Sequence, residues 1–203
     1  VALGDSALSG GSLSGGYNIA IGTEALTANT SGSVNVAVGQ GTLYLNTTGQ
    51  SNVAVGGNAM ADNTTGNYNT AIGRYALTDN TTANGNTAVG YQASYANTTG
   101  AQNTALGYQA LLDATTANFN TSLGYQSGFN ITSGSHNTAI GRNALFENTT
   151  GVSNVAVGNQ SLDKNTGSNN TAIGYESLRL NTTAANNTAV GYQAGYSNTT
   201  ATN

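Results

Sequence analysis

Apolar and polar positions along the chain follow no helical period. They recur in blocks of about 17 residues instead. Glycines that follow Ala-(Val/Ile/Leu), or its near equivalent, mark the blocks: Gly4, Gly22, Gly39, Gly56, Gly73, Gly90, Gly107, Gly124, Gly141, Gly158, Gly174 and Gly191. The steps are 18, then 17 eight times, then 16 and 17, so twelve copies of one unit span the chain. The unit reads Asn-(Thr/Val)-Ala-(Ile/Val)-Gly-Tyr-Gln-Ala-Leu-x-x-Asn-Thr-Thr-Gly-x-x. Such self-similarity is the mark of a stacked repeat.

Each unit predicts two short β segments. The first is Asn-Thr-Ala-Val, with β-branched residues at alternate positions. The second lies around Tyr-Gln-Ala-Leu. Gly after the first and Asn-Thr-Thr-Gly after the second supply turn chemistry. A unit of about 17 residues is too short for a βαβ module, which needs about 30. The expected fold is therefore all-β: a parallel β-solenoid (β-roll) of about twelve turns, forming one domain over residues 1–203, each turn pairing with the next about 4.8 Å away. Asn recurs four residues before the anchor glycine in eleven copies, from Asn18 to Asn187. Stacked in register, these side chains predict an amide ladder.

The β-branched residues of the first segment and the Leu four after the anchor are expected to face inward. Thr70, Thr87, Thr104, Thr121 and Thr138 are then expected inside with them, which argues against an ice-binding Thr grid. Strand alternation puts the middle residue on the opposite face. The outward stripe would be Ala20, Ala37, Ala54, Ala71, Ala88, Ala105, Ser122, Ala139, Ala156, Ala172 and Ala189. It is uniformly small and uncharged, and about three apolar side chains per turn make a thin core that invites neighbours. The stripe is the expected chain–chain interface.

Composition sharpens the picture. Asn 30, Thr 31, Gly 28 and Ala 29 together make 118 of 203 residues, with no Pro, Cys or Trp. Such a chain is neither helical nor of the usual disordered type. Net charge is −4, and the only bases are Arg74, Arg142, Lys164 and Arg179, dispersed along the sequence. Nucleic acid, which needs clustered cations, is not an expected partner. Apolar runs fall far short of the ~20 residues of a spanning helix, so membrane insertion is not expected.

Enzymatic constellations are not evident, and neither catalysis nor a cofactor or metal is expected. His136 is the single histidine and is read as a solvated loop residue. Asp62, Asp79, Asp113 and Glu147 share the position six after the anchor and read as an acidic edge that limits aggregation. Tyr91, Tyr108, Tyr125, Tyr175 and Tyr192 follow the anchor directly and are candidates either for stacking sugar rings or for an aromatic ladder. Asn29, Asn46, Asn63, Asn80, Asn97, Asn148, Asn181 and Asn198 match the N-glycosylation acceptor pattern, although turn chemistry alone explains them.

The unit Asn-Thr-Ala-Val-Gly-Tyr-Gln-Ala, at Asn86–Ala93 and again at Asn187–Ala194, resembles the repeat arrays of phage tail-fibre proteins and bacterial surface fibres. More distantly it is similar to the head domain of trimeric autotransporter adhesins, whose units are shorter. The resemblance spans all the units. It implies a left-handed coil, an extracellular, cell-surface or virion location, and a structural fibre built from copies of the chain as a homotrimer or a head-to-tail filament, with cell-surface glycan as a further candidate partner. The chain opens in mid-pattern at Val1, and the step from Asn203 round to Val1 fits the repeat. The solenoid is therefore expected to be uncapped, as a piece of a longer fibre or with Val1 and Asn203 as junction residues of stacked subunits.

Overall fold

A computed structural model describes residues 1–10 and 14–200. Its strands are β1 (Ala2–Leu3), β2 (Ile19–Ile21), β3 (Val36–Val38), β4 (Val53–Val55), β5 (Thr70–Ile72), β6 (Thr87–Val89), β7 (Thr104–Leu106), β8 (Thr121–Leu123), β9 (Thr138–Ile140), β10 (Val155–Val157), β11 (Thr171–Ile173) and β12 (Thr188–Val190). They form one parallel sheet in strict sequence order. Equivalent residues pair, as in Ala37↔Ala54 and Ala88↔Ala105. The chain is an all-β solenoid of about eleven turns, roughly 53 Å long at the usual strand spacing.

One β segment per turn forms, not two. The Tyr-Gln-Ala-Leu stretch is a run of tight turn instead. Its second and fourth residues after the anchor hold positive φ, as at Gln92 (53°) and Leu77 (53°). A third positive-φ corner stands five before the anchor, where even the β-branched Val34 has φ 61°. Such corners are costly for non-glycine residues and persist only where the surroundings fix them. Here hydrogen bonds to the next turn do so: Leu26 N–H donates to Thr42 O (3.0 Å) and Leu43 N–H to Ala59 O (3.2 Å). Three corners per turn let about 17 residues close a narrow loop.

The anchor glycine is demanded twice over. Gly90 has φ +134°, and a Cβ there would stand 2.4 Å from Gly107 O. Only glycine permits both that conformation and that approach.

The interior is thin and half polar. Into it point the middle strand residue, the Ala, Ser or Thr three after the anchor, and the Leu four after it; Ala88, Ala93, Leu77 and Leu111 are all fully buried. The Leu expectation holds. The strand's facing is the reverse of the expected one: the middle Ala column is inside and the β-branched columns are outside. With two Asn side chains and a Leu in the same cross-section, the lumen holds only a methyl from the strand.

The expected Asn ladder is present. Asn69 Nδ2 donates to Ala83 O (2.8 Å) and Asn52 Oδ1 (3.2 Å), while its Oδ1 accepts from Asn86 N–H (2.9 Å). A second amide ladder runs seven after the anchor, where Asn46 Nδ2 donates to Asn29 Oδ1 (3.0 Å) and Asn63 Nδ2 to Asn46 Oδ1 (2.7 Å). It breaks at Ala114 and Ile131, which leaves Asn97 Oδ1 buried without a donor. Buried amides that exchange bonds in this way cost little and fix the register of the turns.

Candidate functional site

The sheet presents two unbroken outward columns. One, just before the anchor, carries Leu3, Ile21, Val38, Val55, Ile72, Val89, Leu106, Leu123, Ile140, Val157, Ile173 and Val190. The other, two residues earlier, carries Val, Ile or Thr. None of these positions is charged. Side chains such as Ile21 (39 % exposed) and Leu106 (43 %) keep much of their surface in water. Side-chain period two with an inward Ala leaves the strand no other choice. At β2–β4 both columns are aliphatic; from β5 to β9 the column just before the anchor stays aliphatic and the one two residues earlier is Thr.

This overturns the expected interface. Ala20, Ala37, Ala54, Ala71, Ala88, Ala105, Ala139, Ala156 and Ala172 are fully buried inside the coil, and Ala189 packs against that core. They cannot meet another chain. The expected inward placement of Thr70, Thr87, Thr104, Thr121 and Thr138 is corrected likewise: they point outward.

The tyrosines beside this face form a ladder. Tyr91 and Tyr108 stack at 5.4 Å and 16°, Tyr108 and Tyr125 at 5.1 Å and 6°, and Tyr175 and Tyr192 at 5.4 Å and 8°. Each inner ring face is covered by the next ring. Tyr75 stands edge-on to Tyr91 (6.3 Å, 78°), and the Arg142 guanidinium lies over Tyr125 at 6.0 Å. Of the two alternatives, the ladder is the one the geometry supports. The flat faces that sugar stacking needs are closed at Tyr91, Tyr108 and Tyr125, which offer edges and hydroxyls instead. Beneath them Gln109 Nε2 donates to Gln92 Oε1 (2.8 Å) and Gln126 Nε2 to Gln109 Oε1 (2.9 Å).

The glycosylation candidates are corrected too. Asn29, Asn46, Asn63, Asn80, Asn97, Asn148 and Asn181 are fully buried, and their amides donate within the second ladder or to its turn carbonyls. A transferase cannot reach them in the folded coil. Asn198 is half-buried on the last described turn. Of the junction candidates, Asn203 lies outside the described residues, and the Val1 ammonium donates to Asn18 O at 2.9 Å.

The acidic edge lies on another side. Burial, and secondarily the Asp62 charge, raises the pKa of Asp79; burial alone raises that of Asp113. Tyr95 is raised chiefly by the Asp79 charge. Further along, Glu147 pairs with Lys164, and Arg179 binds Asp163 (3.4 Å), Glu176 (3.0 Å) and the Tyr196 hydroxyl (3.2 Å). His136 is exposed and stacks on Phe119 at 4.9 Å. Among the described residues no group of three His, Cys, Asp or Glu is placed to hold a metal, and no helix is long and apolar enough to cross a membrane.

Sequence reasoning missed the outward aliphatic columns as a surface. The signal was the near-invariant Ala, since a position that never exceeds a methyl or hydroxymethyl group is one with no room. No family model, curated protein or solved structure matches the chain.

Proposed function

We propose that the chain is a structural shaft segment of an extracellular fibre, with copies packing side by side through the outward face of the sheet. The carrying observation is the pair of uncharged columns, one of them wholly aliphatic, that run the length of the solenoid. Contiguous apolar surface of this extent marks an interaction site. A second copy is the partner that fits best, because an identical coil repeats its side chains at the same axial step. The narrow lumen adds to the case: a methyl, a methyl or small polar group and a Leu per turn bury little apolar surface, and small cores need neighbours. The likeness of the repeat unit to phage tail-fibre and bacterial surface-fibre arrays supports an extracellular shaft, as a homotrimer or a head-to-tail filament.

Electron microscopy with sedimentation equilibrium tests this. Rods or filaments thicker than one coil, with a mass that is a multiple of the chain, are expected. A strictly monomeric species at high protein concentration overturns the reading.

A second reading rests on the corrected Thr column. Thr70, Thr87, Thr104, Thr121 and Thr138 stand outward on five successive turns at a constant step of about 4.8 Å. A regular Thr row of this kind, edged by an aliphatic column, can order water, so the face is also a candidate ice-binding surface. Inhibition of ice recrystallisation by the isolated chain would favour it over side-by-side packing.

A further inference from the structure

Two of the chain's four basic residues occupy one column. The position directly after the anchor reads Arg74, Tyr91, Tyr108, Tyr125, Arg142 on five consecutive turns. Three stacked tyrosines are thus bracketed by a guanidinium at each end, about 19 Å apart from four strand spacings. Both arginines are exposed. Neither meets a carboxylate among the described residues. Arg74 is steadied instead by donating to the Tyr75 hydroxyl (3.0 Å) with its guanidinium 4.6 Å over that ring, and Arg142 by Tyr125. The tyrosines are 39–46 % exposed, with their edges outward.

We propose that this column binds an acidic polysaccharide laid along the rod. The two guanidiniums take carboxylates at separate points on the sugar chain, and the Tyr hydroxyls between them exchange hydrogen bonds with sugar hydroxyls. Arginine suits this work because its planar fork matches a carboxylate in two parallel bonds. The phenolic hydroxyl both donates and accepts, as sugar hydroxyls do. Single-stranded nucleic acid fits worse: it needs open aromatic faces for its bases and many more cations for its phosphates. The second tyrosine pair is an internal contrast. Tyr175 and Tyr192 have no guanidinium bracket: the neighbouring Glu176 carboxylate accepts from Gln193 Nε2 at 2.7 Å and is paired with Arg179, itself also bound to Asp163, so that stretch offers an anion no unpaired cation.

The test is binding of the whole chain to immobilised polygalacturonate, with neutral dextran and single-stranded DNA as comparison surfaces, at low and moderate salt. Polygalacturonate binding that exceeds both comparisons, weakens with salt, and falls at least tenfold in R74Q/R142Q supports the site. Y175A/Y192A should bind as the parent does. Binding unchanged by R74Q/R142Q, no binding at low salt, or equal binding of DNA overturns it. A thermal melt of R74Q/R142Q matching the parent shows that any loss is not unfolding. Both positions lie outside the aliphatic columns, so the sedimentation of this variant reports on the shaft reading separately.

Discussion

Ile131 occupies the space that a side chain on Gly128 would need. A Cβ built at Gly128 stands 3.1 Å from Ile131 Cδ1 and 2.5 Å from Ser122 Oγ. In most other turns the first position is Leu and the second is the ladder Asn. In this turn the Leu volume has moved three residues along, and the amide has been given up for it. Gly128→Leu alone should therefore overpack the lumen and cost about 1–3 kcal/mol. The backbone is not the obstacle, because Gly128 has φ 59° and Leu145 holds 54° in the equivalent place. Ile131→Asn alone should also destabilise. The double variant restores the common Leu and Asn, with Ser122 still standing where other turns have Ala, and should lose less than the sum of the singles, with a coupling of about 0.5–3 kcal/mol. Denaturant midpoints of the four proteins measure it; strict additivity would mean the two sites do not share the space.

The first Asn ladder should be the most sensitive polar feature. Replacing Asn69 by Ala removes the donor to Ala83 O and the acceptor for Asn86 N–H, both buried. At about 1–3 kcal/mol for each orphaned group, a loss of roughly 2–6 kcal/mol is expected. Asn67→Ala, at an exposed turn position, should cost far less. Hydrogen exchange should show faster amides in the turns on both sides of position 69 and little change at β11 and β12. Exchange that is unchanged around position 69 would remove the ladder from the list of stabilising features.

Stability should rise on acidification. Asp79 and Asp113 both have pKa values raised above the ordinary carboxylate value, and Asp163 is raised by burial in spite of its basic neighbours. A carboxyl with a raised folded pKa binds more protons folded than unfolded between the two values. Its favourable contribution is complete below the unfolded value of 3.8 and is lost as pH climbs through the raised folded value. Melting temperature should therefore increase from neutral pH toward pH 4. Asp79→Asn should raise it at neutral pH and leave it unchanged near pH 3. A melting curve for Asp79→Asn that runs parallel to the parent at every pH would contradict this.

The period, the parallel stack, the Asn spine and the inward Leu were all legible in the sequence, because register repeats every residue type at a fixed step. The facing of the strand was not. A three-residue strand such as Thr87–Val89 offers one inward position or two. Hydrophobicity alone favours burying Val89, whereas the lumen is already filled by Asn86, Ala93 and the neighbouring leucines. Volume decided against burial energy. The glycosylation pattern failed for a related reason: Asn-Thr-Thr serves a turn whose Asn points in. The Arg74–Arg142 bracket was missed although the repeat carries it: both residues directly follow anchor glycines, Gly73 and Gly141, but along the sequence the bases read as dispersed.

Ala88→Glu separates the two faces. The side chain would enter a closed lumen, so the coil should open locally around β6 and not merely part from a neighbour. Burying an unpaired carboxylate is prohibitive unless the site opens or the group is neutralised. Faster hydrogen exchange in the adjoining turns is expected. A fully protected, folded coil carrying this Glu would place the Ala column outside after all.

The most direct measurement is sedimentation equilibrium of the parent chain beside Val38→Glu/Val55→Glu, with circular dichroism to confirm the fold. Both valines lie on the outward aliphatic column at β3 and β4. The parent should sediment as a multiple of the 20.3 kDa chain and the variant as a folded monomer. A variant that keeps the parent's mass would show that this face is not where the chains meet.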